Sequence, residues 1–396
     1  MKNWKRSILI VLFILACIGF TGCSRRPKRL ELPKPLNVPH LQVGEEKFYY
    51  RQLDEDEKEM YDIIYSAIMR FTEKVELHEL ETDGDMINSM IEIVLMDSPE
   101  IFWIYDNYTL WSSMNGENVV ALEFQHENIQ EIEEQKTAIL AAAEEWKVQA
   151  EILPSEYEKV KYIYEQIILK VEYSLDSENN QNIRSVFLGD KSVCAGYAKA
   201  FKYMMDILDI ESAYIIGEAI QDEQAESHAW NLVMIDGEYY WVDPTWGDPL
   251  YTTWDDSEVK PDVSYAYLCV NDTELVKTHT PWYGIGPRDG EAKISYEIPD
   301  CVDTRYDYYR LNENYIEVFV QSEIYRDMME EYRSGKRYYA IKCANDEVYV
   351  QLYDALFETG ALMSDVCQQI MRENGMWTIE YYYSVNERMN IIKIEW

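Results

Sequence analysis

The chain has 396 residues, with 36 Lys and Arg against 73 Asp and Glu and a formal net charge of −37 at neutral pH. So acidic a polypeptide repels nucleic acid, which excludes that class of partner, and suits a solvated acidic surface. With 47% apolar residues, a chain of this length holds cores for two or three domains.

The first residues are basic (Lys2, Lys5, Arg6) and run into the apolar stretch Ser7–Phe20. A basic start and an apolar run too short for a comfortable membrane span predict a secretory signal over residues 1–22. The run ends Phe20-Thr21-Gly22-Cys23, which resembles a bacterial lipoprotein cleavage box, with Phe20 where leucine is more usual. That resemblance implies cleavage before Cys23 and a lipid on its thiol. The bulk of the protein would then sit on the extracytoplasmic face of the cell membrane. Residues 23–44, with Arg25, Arg26, Lys28, Arg29 and four prolines, read as a flexible tether. Their basic start suits an anionic membrane surface.

Residues 45–150 read as an N-terminal α+β region. Asp54-x-x-Glu57 resembles a capping box and leads into Met60, Tyr61, Ile64, Ile68 and Phe71 at helical spacing. Met86 to Met96 predicts a second helix, stopped by Asp97-Ser98-Pro99. Ile101 to Trp111 is rich in strand formers, and Asn118 to Phe124 can pair with it. Its aromatics (Phe102, Trp103, Tyr105, Tyr108, Trp111) read as a buried strand in preference to a stacking surface for sugar or peptide. Asn128 to Ala150 is a further helix.

Pro154 marks a boundary, and residues 151–289 form the central region. Ser155-x-x-Glu158 caps a helix to about Val171, with Tyr157, Val160, Ile163, Tyr164, Ile167 and Ile168 on its apolar face. A polar loop from Asp176 to Asn182 follows. Val193 to Leu208 then predicts a helix carrying Tyr197, Phe201, Met204, Met205 and Leu208 at helical spacing, with Ser192 as N-cap. Cys194 falls in its first turn, where free backbone N–H groups and the helix dipole favour an anionic sulfur.

Asp236-Gly237 between two apolar alternations predicts a tight hairpin. With a two-residue loop Ile235 faces Glu238, Trp230 faces Asp243 and His228 faces Thr245. His228 and Asp243 are then diagonal neighbours on one face, about 7–8 Å apart at the backbone. An imidazole and a carboxylate close that gap. A thiol, an imidazole and a carboxylate are the parts of a cysteine-nucleophile site.

Val-Cys-Ala-Gly-Tyr-Ala around Cys194, Ser-His-Ala-Trp-Asn around His228 and Tyr-Trp-Val-Asp-Pro-Thr-Trp around Asp243 resemble the catalytic core of the transglutaminase-like superfamily, in that family's chain order. The resemblance extends over about Ser155 to Trp282. It implies a papain-like α+β core, a helix carrying the cysteine packed on an antiparallel sheet carrying the histidine and aspartate. Flanking α+β regions lie on either side. It further implies Cys194 as nucleophile, His228 as general base then acid, and Asp243 as orienter of His228. Papain-like sites also need donors for the oxyanion, commonly the nucleophile's own N–H and a side chain upstream, for which Gln181 is the candidate.

After Asp243, Tyr265 to Val270 reads as a strand. His279 is set aside as a base, because only His228 is placed on a strand beside a partnering carboxylate. Trp246 and Trp254, next to polar loops, are the candidate walls of a substrate groove. Cys269, Cys301, Cys343 and Cys367 could pair as disulfides, but their scattered spacing favours buried thiols. No CxxC or clustered His/Cys pattern suggests zinc, no EF-hand-like spacing suggests calcium, and no cofactor is implied.

Residues 290–396 read as a C-terminal α+β region. Strand-like runs lie at Tyr315–Val320, Tyr338–Cys343, Met376–Tyr383 and Met389–Trp396, the last two joined by a turn at Asn386-Glu387. Helices lie near Glu347–Glu358 and Ser364–Glu373. No catalytic constellation appears there, and the region is expected to wall or position substrate.

The function expected is that of a cell-surface lipoprotein with a cysteine acyl-transfer site. It acts on a protein or peptide substrate, cell-wall-associated substrates included, by peptidase- or amidase-type hydrolysis through a thioester. Two alternatives stand beside it. One is cross-linking, in which an amine replaces water as acyl acceptor. The other is a non-catalytic binding scaffold, which a slowly reacting Cys194 would reveal.

Overall fold

The computed structural model describes residues 43–396 apart from 78–79, 81, 105–107, 114–117, 126–127, 222–223, 249–262 and 289. In the N-terminal region the capping box forms. Asp54 accepts from the Glu57 N–H at 2.9 Å and Glu57 accepts from the Asp54 N–H at 3.0 Å. It starts α1 (Glu55–Met69), which buries Met60, Tyr61, Ile64 and Ile68. Then follow β1 (Lys74–Glu76), α2 (Gly84–Asp97), β2 (Tyr108–Ser112), β3 (Val119–Phe124) and α3 (Ile129–Glu151). The strands pair in the order β1-β3-β2. Of the strand expected from Ile101, the part described as strand is Tyr108–Ser112. Ile101, Phe102, Trp103 and Ile104 are all buried, so they lack the alternation of a half-buried strand and cross the core as an irregular segment. Tyr105 lies outside the described residues, and Trp111 is exposed.

The central region opens with α4 (Glu156–Lys170), capped by Ser155 Oγ on the Glu158 N–H at 3.2 Å. The six apolar residues expected on its inner face are all buried. Next comes α5 (Cys194–Ile207), and then the strands β4 (Ser212–Gln221), β5 (Gln224–Ile235), β6 (Glu238–Val242), β7 (Leu268–Val270) and β8 (His279–Pro281). They form one antiparallel sheet in the order β8-β4-β5-β6-β7. The β5–β6 register is the expected one, from Ile235 opposite Glu238 to Asn231 opposite Val242. Asp236 and Gly237 both take positive φ (50° and 83°), as a tight hairpin loop with this twist requires. The long strand β4 was not among the expected elements.

Ser192 does not cap α5. The N-cap position falls on Val193, which makes no side-chain capping bond. Residues Lys191–Ser192 instead pair in parallel with Glu172–Tyr173, and Ser192 Oγ lies 2.7 Å from Ser185 Oγ. That pairing holds Ser192 in a short strand and draws its hydroxyl away from the helix N-terminus.

The C-terminal region comprises β9 (Tyr315–Ile316), α6 (Gln321–Arg333), β10 (Tyr338–Cys343), α7 (Asp346–Tyr353), α8 (Ala361–Asn374), β11 (Tyr382–Asn386) and β12 (Ile391–Glu395). Its strand order is β9-β10-β12-β11. Two expectations shift. The strand from Tyr315 stops at Ile316 and gives way to α6, and the strand expected over 376–383 lies at Tyr382–Asn386. The turn runs to Asn390 (φ 55°) and is held by Asn386 Oδ1 on the Met389 N–H at 3.1 Å, which moves the pairing toward the C-terminus.

One apolar core runs through both the N-terminal and central regions and takes in Met389 and Ile391 from the chain end. A second core lies within residues 324–394. Tyr49 Oη donates to Tyr214 O at 2.7 Å, and Arg51 pairs with Glu211 at 2.6 Å, tying the start of the described chain to β4.

Candidate active site

The nucleophile position is set by a close approach. Cys194 is the first residue of α5 and half-buried. Two residues on, a Cβ at Gly196 would collide with Ser192 Oγ, Ser185 Oγ and Asn180 O. Only glycine lets the first helical turn pack so closely against the preceding loop. Asn231 fastens α5 to the sheet: its Nδ2 donates to Ala198 O at 2.9 Å and to Ala213 O at 3.3 Å. The last residue of the Ser-His-Ala-Trp-Asn run is therefore a strap between helix and sheet.

The expected His–Asp pair forms. His228 Nε2 lies 2.8 Å from Asp243 Oδ2, with the ring almost buried and the carboxylate wholly so. Asp243 Oδ1 accepts the backbone N–H groups of Thr245 at 2.8 Å and Trp246 at 3.3 Å. Burial alone would raise the Asp243 pKa. The positive charge and N–H of His228, and then the N–H of His279, outweigh it and hold this carboxyl well below the usual range. Burial likewise works against charge on His228. The Asp243 carboxylate and then the Cys194 sulfur more than compensate and lift the ring to about 10. His228 thus carries its proton across neutral pH between a carboxylate and a sulfur. Cys194, His228 and Asp243 are brought together as the sequence requires.

His279 calls for a correction. It sits on a strand, as the first residue of β8, and beside the same carboxylate, with Nε2 3.1 Å from Asp243 Oδ2. Its strand joins the far edge of the sheet through β4, a non-local pairing that no turn signal announces. Gly217 admits that strand closely, since a Cβ there would strike Thr280 O and the Trp230 ring. Among the described residues, His228, Asp243 and His279 are the one cluster of three metal-capable side chains, with donor atoms within 4.8 Å of one another. Both facing imidazole nitrogens engage one carboxylate oxygen, so hydrogen bonds knit the cluster.

Cys194 and His228 open onto a cavity of about 640 Å³. Trp246 is one of its walls, as expected, with its ring centroid 5.9 Å from that of His228. Trp254 lies outside the described residues. Gln181 is not brought to the cavity. Its side-chain amide donates to Asn180 Oδ1 at 3.2 Å and its backbone carbonyl accepts from Lys199 Nζ at 3.1 Å. Tyr173, Thr245 and Tyr267 also line the cavity, as does the β11–β12 turn with Val385, Asn386, Glu387 and Arg388. Thr245 was visible as part of the Asp-Pro-Thr-Trp run. The turn residues carry no local signature of a site. A second cavity of about 660 Å³, between α6 and α8, is lined by groups such as Gln321, Tyr325, Asp365 and Arg372 and contains no nucleophile–base pair.

A cysteine at a helix start, a strand histidine and a buried aspartate define the papain-like class of thiol site. Residues 147–244 match the family model of the transglutaminase-like superfamily and form a transglutaminase-like domain. The matched stretch contains all three site residues. The chain is also similar to the kyphoscoliosis peptidase of Mus musculus, at 29% identity over 112 residues, which cover 25% of this chain and 17% of that one. It therefore spans about a sixth of that relative's length. Among solved structures, that of a TGase shares 13% identity at a TM-score of 0.25, covering 47% of this chain and 52% of its own. The periplasmic domain of TgpA from Pseudomonas aeruginosa shares 12% identity at a TM-score of 0.23, covering 36% of this chain and 65% of its own.

Proposed function

We propose that the protein is a cysteine-dependent acyl-transfer enzyme that hydrolyses amide bonds in a protein or peptide substrate. The observation that carries this reading is the His228 ring, held between the Cys194 sulfur and the Asp243 carboxylate. With the proton already held on His228, the Cys194 sulfur attacks the carbonyl carbon of a carboxamide or peptide bond. The tetrahedral oxyanion is met by N–H groups at the start of α5, which have no acceptor within the helix. A part for Gln181 there requires its amide to turn from Asn180 toward the sulfur. His228 then protonates the leaving amine, leaving a thioester on Cys194. Water, deprotonated by His228, attacks the thioester, the acyl group leaves as a carboxylic acid, and the sulfur is freed beside a protonated His228. An amine entering in place of water would give a cross-link through the same intermediate. Water is favoured as acceptor because polar groups such as Glu226, Thr245, Asp248 and Arg388 line the cavity.

The test is alkylation of the full-length protein by iodoacetamide from pH 5 to 9, read by peptide mass. Cys194 is expected to react far faster than Cys269 or Cys343, with the rate persisting below pH 7 and collapsing in His228→Ala. The two comparison thiols are buried, which pushes Cys269 well above its ordinary value and Cys343 to about 12. Labelling of Cys194 that rises only near the free-thiol value of about 8.5 and ignores His228 would sink the enzymatic reading and favour a scaffold.

The lipid anchor at Cys23 and an extracytoplasmic location are part of the proposal. They rest on the Phe20-Thr21-Gly22-Cys23 box, which lies outside the described residues. Among the described residues no helix is long and apolar enough to cross a membrane. Metabolic labelling with a tritiated fatty acid, lost in Cys23→Ala, checks the anchor. Equal labelling of the variant would refute it.

A further inference from the structure

We propose that His279 is a positioning residue of the cysteine site, donating a second imidazole N–H to the Asp243 oxygen that holds His228 and so setting how firmly that carboxylate grips the His228 proton. This rests on the cysteine acyl-transfer reading above.

The geometry assigns the proton. Asp243 is ionised and accepts only, so a nitrogen 3.1 Å from its Oδ2 must carry the hydrogen. His279 is therefore the Nε2–H tautomer. Its bare Nδ1 then takes the Thr278 hydroxyl proton, 2.8 Å away. The ring has no exposed surface, and burial lowers its basicity despite Asp243, so it stays neutral while His228 is charged. Trp246 at 4.6 Å, Trp230 at 4.9 Å and Tyr267 at 5.3 Å between ring centroids prevent it from turning. The titratable and charged groups around it are Asp243 after β6, His228 on β5 and Tyr267 before β7. Arg388 stands beyond Tyr267 on the β11–β12 turn.

Asp243 thus receives four donors: two backbone N–H groups on Oδ1 and two imidazoles on Oδ2. These occupy the acceptor sites of a carboxylate and fix its rotamer. Without His279, Oδ2 keeps one donor, becomes a stronger acceptor and draws the His228 proton more tightly. The carboxylate also gains freedom to swing, and with it the His228 ring that faces the sulfur. Two effects on Cys194 should follow together. The sulfur reacts more slowly near neutrality, and the transition at which His228 loses its proton moves to higher pH.

The experiment compares wild type, His279→Leu and His279→Gln as full-length proteins, using iodoacetamide rates at Cys194 from pH 5 to 11. In His279→Leu the rate at pH 7 should fall about tenfold, the scale of one hydrogen bond to a charged group. The upper transition should rise by about half a pH unit or more. His279→Gln, whose amide can still donate, should recover both. A folded His279→Leu with wild-type transitions, or a His279→Gln as impaired as His279→Leu, would overturn the proposal in favour of packing alone. Should His279→Leu fail to fold, 15N spectra of the wild-type imidazoles decide. A neutral Nε2–H tautomer at His279 between pH 6 and 8 supports the role, and a charged or Nδ1–H ring refutes it. Failure of the underlying cysteine reading looks different: wild-type Cys194 would then react no faster than Cys367 and would be indifferent to His228→Ala.

Discussion

Asp243 is fully buried, and among the described residues its ion contacts are to two imidazoles, those of His228 and His279. Its charge therefore depends on His228 being protonated, and the reverse. His228 is lifted to about 10 in the folded protein, against about 6.5 in an unfolded chain. A group raised in this way stabilises the fold fully below its unfolded value and loses that contribution as pH rises through its folded one. Asp243, held low, contributes above about pH 4 and loses its share on acidification. His279 works against His228, because a ring held neutral by burial resists protonation. Comparison with His228→Ala isolates the first term. The urea midpoint of wild type should exceed that of His228→Ala most clearly between about pH 5 and 6. The gap should narrow steadily toward pH 10, and a gap that widens there would contradict the ion-pair description. Asp243→Asn removes the charge but keeps a polar group. It should cost about 10²–10⁴ in acyl-transfer rate through loss of the oriented imidazolium, read as turnover of a peptide substrate, and it should also slow iodoacetamide alkylation of Cys194 at pH 7.

At the scale of elements, the β5–β6 hairpin was legible because its information is local. Asp236-Gly237 sets the loop, the loop sets the register, and the register brings His228 to Asp243. The same locality explains the helices at Asp54 and Ser155, whose caps lie within three residues of their starts. What was not legible lacks a local turn signal or depends on partners far along the chain. Strand β4 pairs with β5, which follows it with no Asn-Gly or Asp-Gly signal between them, and with the distant β8, and His279 reaches Asp243 only through the second pairing. Ser192 looked like a cap because a serine before an apolar period usually is one, but a parallel strand pair took its hydroxyl. The joint between α5 and the sheet carries its own expectation. Asn231→Leu removes two buried bonds and leaves Ala198 O and Ala213 O to find other donors, so it should cost about 1–3 kcal/mol of stability. Gly196→Ala, driven into Ser192 and Asn180 O, should destabilise by about 1–3 kcal/mol and slow Cys194 alkylation, because the first turn of α5 must move. Urea denaturation and the iodoacetamide rate measure the two effects separately.

For the whole molecule, the site is assembled from segments that the sequence order keeps far apart. The C-terminal turn supplies Val385, Asn386, Glu387 and Arg388 to the cavity that holds Cys194, and Arg388 donates to Ile220 O at the end of β4. Met389 in that turn and Ile391 just past it are buried in the core shared by the N-terminal and central regions. The C-terminal region therefore meets the central region through both apolar packing and a wall of the cleft. On the proposed reading a peptide over Cys194 would pass this turn, which contributes none of Cys194, His228 and Asp243. Arg388→Glu reverses the one positive charge besides His228 among the described side chains lining the cleft, beside Glu226, Asp248 and Glu387. It should therefore act on binding. For a peptide substrate, KM should change by about tenfold, the scale of a lost charge contact. The direction follows the peptide's charge: weaker for acidic peptides, tighter for basic ones. A variant whose kcat falls while KM stays fixed for peptides of either charge would place Arg388 in the chemistry and not in the wall.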